Sequence, residues 1–407
     1  MDFTKFHSRY LAVLIGAIVI TMGNSIYVNG FGYFLIPVSG ELAFSRSTYS
    51  VILTASRLIA AFAAPFWAGM ISRFGARKVI FGAGMLTAFG FVLLANANSV
   101  ETYFAATMVR GFGNAACTLF AAVIIVNTWV IKHKSIIMSL VVAMTGVGGV
   151  VINMVVPGYI VDNGWRNGFL FLAVVFAAIQ VTAFLLIRSR PEDVGMKPYG
   201  YRAAAGGEDV ETVGMSYKSA FKTPLPYLLF GGIFLLTTPA GMMSHMPAFY
   251  EGTGLSAVEA GYMMSVVMFA IIWCKIIMGL MNEKIGLAKT NVAYAAVSIA
   301  AFLFLVSMQS YTGAVIGALG YAVSITFATV MPPLLTGGVF GDRDYIKIYA
   351  VISIAAVLGD AVNISFMGMT YDATQSYTAG ILLTAAMCAA GLVVILATLR
   401  MAKKLNR

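Results

Sequence analysis

Four ionisable residues, Arg57, Arg110, Lys275 and Asp360, stand inside stretches of sequence that are otherwise apolar. A charge held at the centre of a bilayer costs about 2.5–3.5 kcal/mol on insertion scales, so groups kept there are functional candidates. Three cations against one carboxylate leave a positive interior, and in a low-dielectric site such a bias attracts a small anion far more strongly than water would allow. Lys275 is the first candidate ligand for that anion, with Arg57 and Arg110 beside it. Two of them have a plainer reading: Lys275 as a lysine snorkelling to the headgroups, Arg110 as a packing residue that holds one helix to another. Asp360 is the natural proton carrier, or an ion-pair partner for Lys275 or Arg57. His245, an imidazole that titrates near neutral pH when unperturbed, is a second proton candidate or a satisfied structural histidine. Asn24, Tyr27, Asn29 and Tyr33 offer amide and phenol groups that would hydrogen-bond a solute, or else pack in the core or at the membrane interface.

These residues need a membrane scaffold. The chain is 60% hydrophobic and 10% charged with a mean hydropathy of +0.88, a balance that would leave a water-soluble domain covered in apolar surface. Twelve apolar runs of roughly 20 residues, the length that crosses hydrocarbon as a helix, fall near 11–36, 46–70, 79–98, 103–127, 136–160, 166–187, 226–249, 257–281, 288–308, 311–335, 347–371 and 376–399. The first is longer than the ~7–15 residues of a signal-peptide core and reads as a membrane helix. An all-α membrane protein with twelve transmembrane helices is expected. Cys117, Cys274 and Cys388 all lie inside runs without CxxC spacing, so neither a disulfide framework nor a metal site is expected. No HExxH, GxSxG, Walker or Rossmann context is present, so the reading is not an enzyme and needs no cofactor. The glycines at 146, 148 and 149 fit close helix approach better than phosphate cradling.

Charge orients the runs. Of the 26 Lys and Arg, Arg46 and Arg166 lie on one side, Arg57, Arg110 and Lys275 lie inside runs, and the remaining 21 lie on the other side. That bias predicts an inner-membrane protein with both termini cytoplasmic and its basic rim against anionic lipid. The formal charge of +10 is thereby accounted for without nucleic acid, for which no basic helix with interleaved aromatics is seen. One long hydrophilic stretch interrupts the runs. The expected organisation is therefore an N-terminal six-helix bundle (1–188), a cytoplasmic linker (189–224) with a short helix near Ser216–Lys222, and a C-terminal six-helix bundle (225–407).

A repeat relates the halves. Ala68, Ser72, Arg73 and Gly75, with Arg77 just beyond, share their spacing with Gly279, Glu283, Lys284 and Gly286. Twelve runs split six and six, with this loop grammar, resemble the major facilitator superfamily of secondary transporters. Within it, the stretches Arg190–Pro198, Ala220–Pro224, Gly164–Phe169 and Phe44–Ser47 resemble the bacterial monocarboxylate and oxalate/formate branch. The resemblance implies two pseudo-symmetric bundles that alternate access to a site near the membrane midplane. It casts the two loop copies as a gating motif, although Ser72 replaces the family's acid and Glu283 and Lys284 stand for Asp and Arg. Lys275 resembles the branch's substrate-binding arginine on the eighth helix, as a point charge in place of a planar fork. Arg110 resembles the superfamily's arginine on the fourth helix. The fifth helix lacks the Gly-Pro of the drug-antiporter pattern.

The expectation is a monomeric carrier of a small organic anion, a mono- or dicarboxylate, by proton symport or by exchange against a counter-anion. A drug or metabolite efflux pump and a non-transporting sensor are the alternatives. A cation-rich interior weighs against a pump for cationic drugs.

Overall fold

The computed structural model describes residues 7–117, 119–132, 134–201, 214–308, 310–341 and 343–405. Among them the chain is helical apart from short turns, with two isolated β-bridges. Among the described residues eleven helical stretches are long and apolar enough to cross a bilayer. One of them, Leu140–Leu186, has 47 residues. At 1.5 Å per residue that is about 70 Å, twice what hydrocarbon requires. Gly164 resolves the excess, because its φ of 79° and ψ of 162° turn the chain within the run. The twelve helices of the sequence are thus recovered.

In chain order they are α1 (Ser8–Glu41, with a 3₁₀ turn at Gly30–Phe34), α2 (Arg46–Phe74), α3 (Ala76–Ala95), α4 (Val100–Trp129), α5 (134–163) and α6 (165–186). They continue as α7 (Leu225–Gly241, resumed at Met246–Gly252), α8 (Ala257–Ile285), α9 (Leu287–Ser307), α10 (Tyr311–Phe340), α11 (Tyr345–Thr374) and α12 (Thr378–Leu405). Several overrun the apolar run that predicts them by a turn or more. The cause is that backbone hydrogen bonding continues past the edge of hydrocarbon wherever no breaker intervenes, as at α10, where Gly341 with φ 73° ends a helix that runs beyond the expected residue 335.

The chain forms two compact units: one of Met1–Phe44 with Ala55–Glu208, the other of Ser45–Thr54 with Asp209–Arg407. The core of the first is aromatic. Phe34 stacks on Phe169 at 3.8 Å and 9°, and Phe31 meets Phe91 and Phe169 at 6.0 and 5.6 Å. Gly148 lets α5 touch α1, since a Cβ there would come within 2.9 Å of the Met22 carbonyl carbon. The second unit's core is mainly aliphatic, with Leu229, Ile233, Leu236, Met331, Ile348 and Ile352 packed around aromatic residues such as Phe327.

The hydrophilic stretch is pinned along its described parts. Tyr199 donates its N–H to the Trp129 carbonyl at 2.8 Å, and its own carbonyl accepts from Ile131 and Lys132 at 2.9 and 3.1 Å. Met215 N–H donates to the Phe340 carbonyl at 2.8 Å. A four-residue helix, Tyr217–Ala220, follows under a Ser216 cap that accepts from the Ser219 N–H.

Candidate functional site

In the first unit, α4 carries Arg110 into the aromatic core, where the residue is 1% exposed. Its guanidinium carbon lies 3.8 Å over the Phe31 ring and 5.8 Å from that of Phe91, and Nη2 donates to Ser56 Oγ at 3.1 Å. Ser56 in turn donates to the Thr107 carbonyl at 3.2 Å, so one hydroxyl joins α2 to α4. Close approach of the backbones makes this possible: a Cβ on Gly90 would come within 2.7 Å of the Arg110 Cα. Arg57 follows Ser56 directly and is half-buried. Tyr33 and Asn29 are each 5% exposed, and Asn24 is half-buried. The side chain of Tyr27 lies outside the described set.

In the second unit, α8 carries Lys275, half-buried. At 100° per residue it lies about 150° around the helix from the centre of the face made by Trp273, Ile276, Ile277 and Leu280. Those four are 55%, 51%, 50% and 51% exposed, as expected of residues that meet lipid. Lys275 instead shares a stripe with Met264, Met268 and Ile271, all under 9% exposed. The adjoining Cys274 carbonyl accepts the Tyr294 hydroxyl at 2.7 Å, which ties α8 to α9 at this level. Asp360, half-buried on α11, sits where α11 and α7 nearly touch. A Cβ on Gly241 would clash with the Asp360 carbonyl and lie 2.9 Å from the Ile364 nitrogen.

The two loop copies take up matching backbone forms. Gly75 between α2 and α3 has φ 84° and ψ 147°, and Gly286 between α8 and α9 has φ 83° and ψ 162°. Positive φ of this size suits glycine alone, so the repeated Gly is a repeated turn. Ser72 is exposed and its hydroxyl donates to the Gly69 carbonyl at 2.7 Å. Arg73, Gly279, Glu283 and Lys284 are exposed, and Arg77 is half-buried. Among the described residues no cluster of three or more His, Cys, Asp or Glu is placed to hold a metal.

The model of the Major Facilitator Superfamily matches residues 13–337. The chain belongs to the major facilitator superfamily. Among its relatives, the Fujikurins efflux protein of Gibberella fujikuroi is 24% identical over 326 residues, covering 72% of this chain and 68% of that protein. An MFS-type transporter of Gibberella moniliformis is 23% identical over 349 residues, 82% and 79% of the two chains. Among solved structures, a bacterial homolog of the human lysosomal transporter Spinster superposes with a TM-score of 0.73 at 15% identity, covering 98% of this chain and 96% of that one. The nucleoside transporter NupG superposes with a TM-score of 0.74 at 12% identity, covering 96% and 99%. At those identities the likeness is one of fold.

Sequence reasoning passed over a network in the second unit of this superfamily member. His245 is 1% exposed. Its Nε2 lies 2.9 Å from the Ile364 carbonyl, which can only accept, so Nε2 bears the proton. Nδ1 lies 3.3 Å from the Tyr377 hydroxyl, and that hydroxyl accepts from Arg46 Nη1 at 2.8 Å. The Arg46 guanidinium stacks 3.6 Å over Tyr371. Asp372 accepts the backbone N–H groups of Arg46 and Ser47 at 3.2 and 2.8 Å, capping the first turn of α2. Carboxylates at a helix start are favoured by the exposed N–H groups and the dipole. Farther along, Asn363 donates to the Thr238 carbonyl at 2.7 Å and its Oδ1 accepts from Thr384 at 3.3 Å. Asn363 lies one turn from Asp360 in an apolar run, which was the available signal; nothing in the spacing marked Asp372 or Tyr377.

Proposed function

We propose that this chain is a secondary active carrier of a small organic anion, a mono- or dicarboxylate of the kind implied by its likeness to the monocarboxylate and oxalate/formate branch. The observation that carries the reading is the cation excess within the spans: Arg57, Arg110 and Lys275 against Asp360. Lys275 serves as the primary ligand for the anion, because α8 turns it away from the lipid-exposed face. Arg57 is the second candidate contact. Arg110, stacked on Phe31 and bonded to Ser56, contributes through its field and by fixing α2 against α4. Asn24, Tyr27 and Tyr33 are candidate hydrogen-bonding partners of the solute.

Asp360 is the proposed coupling carboxylate and His245 a second proton candidate. In this reading the gating loops are Ser72 to Arg77 and Gly279 to Gly286, the protein acts as a monomer, and it lies in the cytoplasmic membrane with both termini inside. Uptake of labelled carboxylates into proteoliposomes, wild type against Lys275→Ala, tests the assignment. Unimpaired transport by the variant would remove Lys275 from the site.

Export is a second reading of direction, favoured by relatives named as efflux proteins. An organic anion moved outward would satisfy both that reading and the cation excess. Net flux of the labelled anion under an inward and then an outward proton gradient tells movement with the proton, as in uptake, from movement against it, as in export.

A further inference from the structure

On the face of the first unit where α2 ends, α3 begins and α6 ends, a cleft of about 580 Å³ is lined by Arg73, Arg77, Lys78, Arg188, Arg190 and Asp193. We propose that this cleft is a binding site for the phosphate headgroup of an anionic phospholipid. Its size falls within the roughly 300–1,000 Å³ of small-molecule sites. Five cations and one carboxylate leave a net charge of +4 on its walls, and the carboxylate is turned to its own chain, with Asp193 Oδ2 accepting the Arg190 N–H at 3.0 Å. Among the described residues no ion pair is found to Arg73, Arg77, Lys78, Arg188 or Arg190.

The cleft is a built site as well as a charged rim. Arg77 Nε donates to the Phe184 carbonyl at 2.8 Å with the guanidinium 4.1 Å over the Phe184 ring. Arg188 Nη1 donates to the carbonyls of Leu185 and Ile187, both at 2.9 Å. These bonds fix two guanidinium groups at the end of α6. Each guanidinium has five donors, so most remain available to phosphate oxygens. Ser189 Oγ accepts the Arg77 backbone N–H at 3.0 Å and holds the α3 start against the strand of chain that leaves α6.

A phosphate monoester in solution and a phospholipid present the same oxygens; the surroundings favour the lipid. Phe74 at the end of α2 is 50% exposed, and on α6 Leu185 is 62% and Val181 44% exposed. These are apolar surfaces for acyl chains beside the cations. Juxtamembrane basic groups attract anionic lipid at roughly 1 decade or somewhat less in affinity per charge.

The test titrates the detergent-solubilised full chain with dioleoyl phosphatidylglycerol, phosphatidylcholine or glycerol 3-phosphate, and reads bound lipid by native mass spectrometry. One variant, Arg73→Gln/Lys78→Gln/Arg190→Gln, removes three exposed cleft cations that make none of the anchoring bonds above. A control, Lys289→Gln/Lys403→Gln/Lys404→Gln, removes the same charge at exposed positions outside the cleft. Ser72→Asp adds an anion to the cleft wall without touching a cation. Phosphatidylglycerol is expected to bind in preference to phosphatidylcholine, with affinity on the order of 100-fold weaker in the cleft variant, several-fold weaker in Ser72→Asp, and within twofold of wild type in the control. Equal losses in cleft variant and control would overturn the proposal in favour of diffuse charge. So would equal binding of the two lipids. Displacement of phosphatidylglycerol by an equimolar amount of glycerol 3-phosphate would reassign the cleft to a soluble phosphate.

Discussion

The Arg110–Ser56 contact makes a quantitative claim about how a buried cation is held. Ser56→Ala removes the acceptor at 3.1 Å and leaves a buried N–H of a charged group without it, at a cost of about 1–3 kcal/mol. Arg110→Lys keeps the charge but loses the planar stack 3.8 Å over Phe31, worth about 2 kcal/mol when desolvated, together with the bond to Ser56. The expected total is about 3–5 kcal/mol. Lysine cannot recover the bond by a shift of α4, because Gly90 packs directly on the Arg110 backbone. Both substitutions destroy the same bond, so the double variant should fall short of the sum by about 1.5–3 kcal/mol. Reversible unfolding in mixed detergent micelles, followed by tryptophan fluorescence, measures all four corners of the cycle. Trp67 is a local reporter of the same junction, since its indole N–H donates to the Phe112 carbonyl on α4 at 2.8 Å. Additivity within about 0.5 kcal/mol would show that the guanidinium–hydroxyl bond carries no energy, and the description of Arg110 as a clamp would fail.

Two further outcomes follow from the caps. Asp372→Ala strips the acceptor from two N–H groups at the start of α2; amide exchange at Arg46 and Ser47 should speed up by about tenfold or more, a cost of at least one lost cap, and unchanged exchange would refute the cap. Asp344 lies outside the spans, and its carboxylate accepts the Tyr217 N–H at 2.7 Å and the Lys347 ammonium at 3.2 Å; the first of these, then the second, holds it below the ordinary aspartate range. A depressed carboxylate contributes fully above its unfolded value, ~3.9, and loses that contribution as pH falls through the folded one. Docking of 214–220, read by amide exchange at Tyr217, should therefore be flat from pH 5 upward and fail in acid below about 4. A loss centred near neutral pH would contradict it.

The architecture was legible because hydrocarbon imposes a single demand, about 20 apolar residues per crossing, and because two loops repeat a glycine that only a positive φ explains. Helix ends were less legible: apolar runs mark where lipid is, while the backbone ladder continues past it, as at α10. Of the charged residues, the sequence marked Arg110 as costly but not what offsets the cost, since Phe31 and Phe91 lie on other helices and give no local signal. His245 drew notice as a titratable group; its engagement with Ile364, Tyr377 and Ser50 depends on residues 119 to 195 positions away in the chain. Lys275 was visible by its surroundings alone, and its direction came from counting exposure around α8.

Transport of matched anionic and neutral solutes tests the central reading most directly. In proteoliposomes, a labelled monocarboxylate and its uncharged amide are offered to wild type and to Lys275→Gln. The account predicts that the carboxylate moves, the amide does not, and the variant loses about 10- to 150-fold in carboxylate transport, the equivalent of one charge-assisted contact. Equal movement of the amide, or a variant that carries the carboxylate as wild type does, would contradict it.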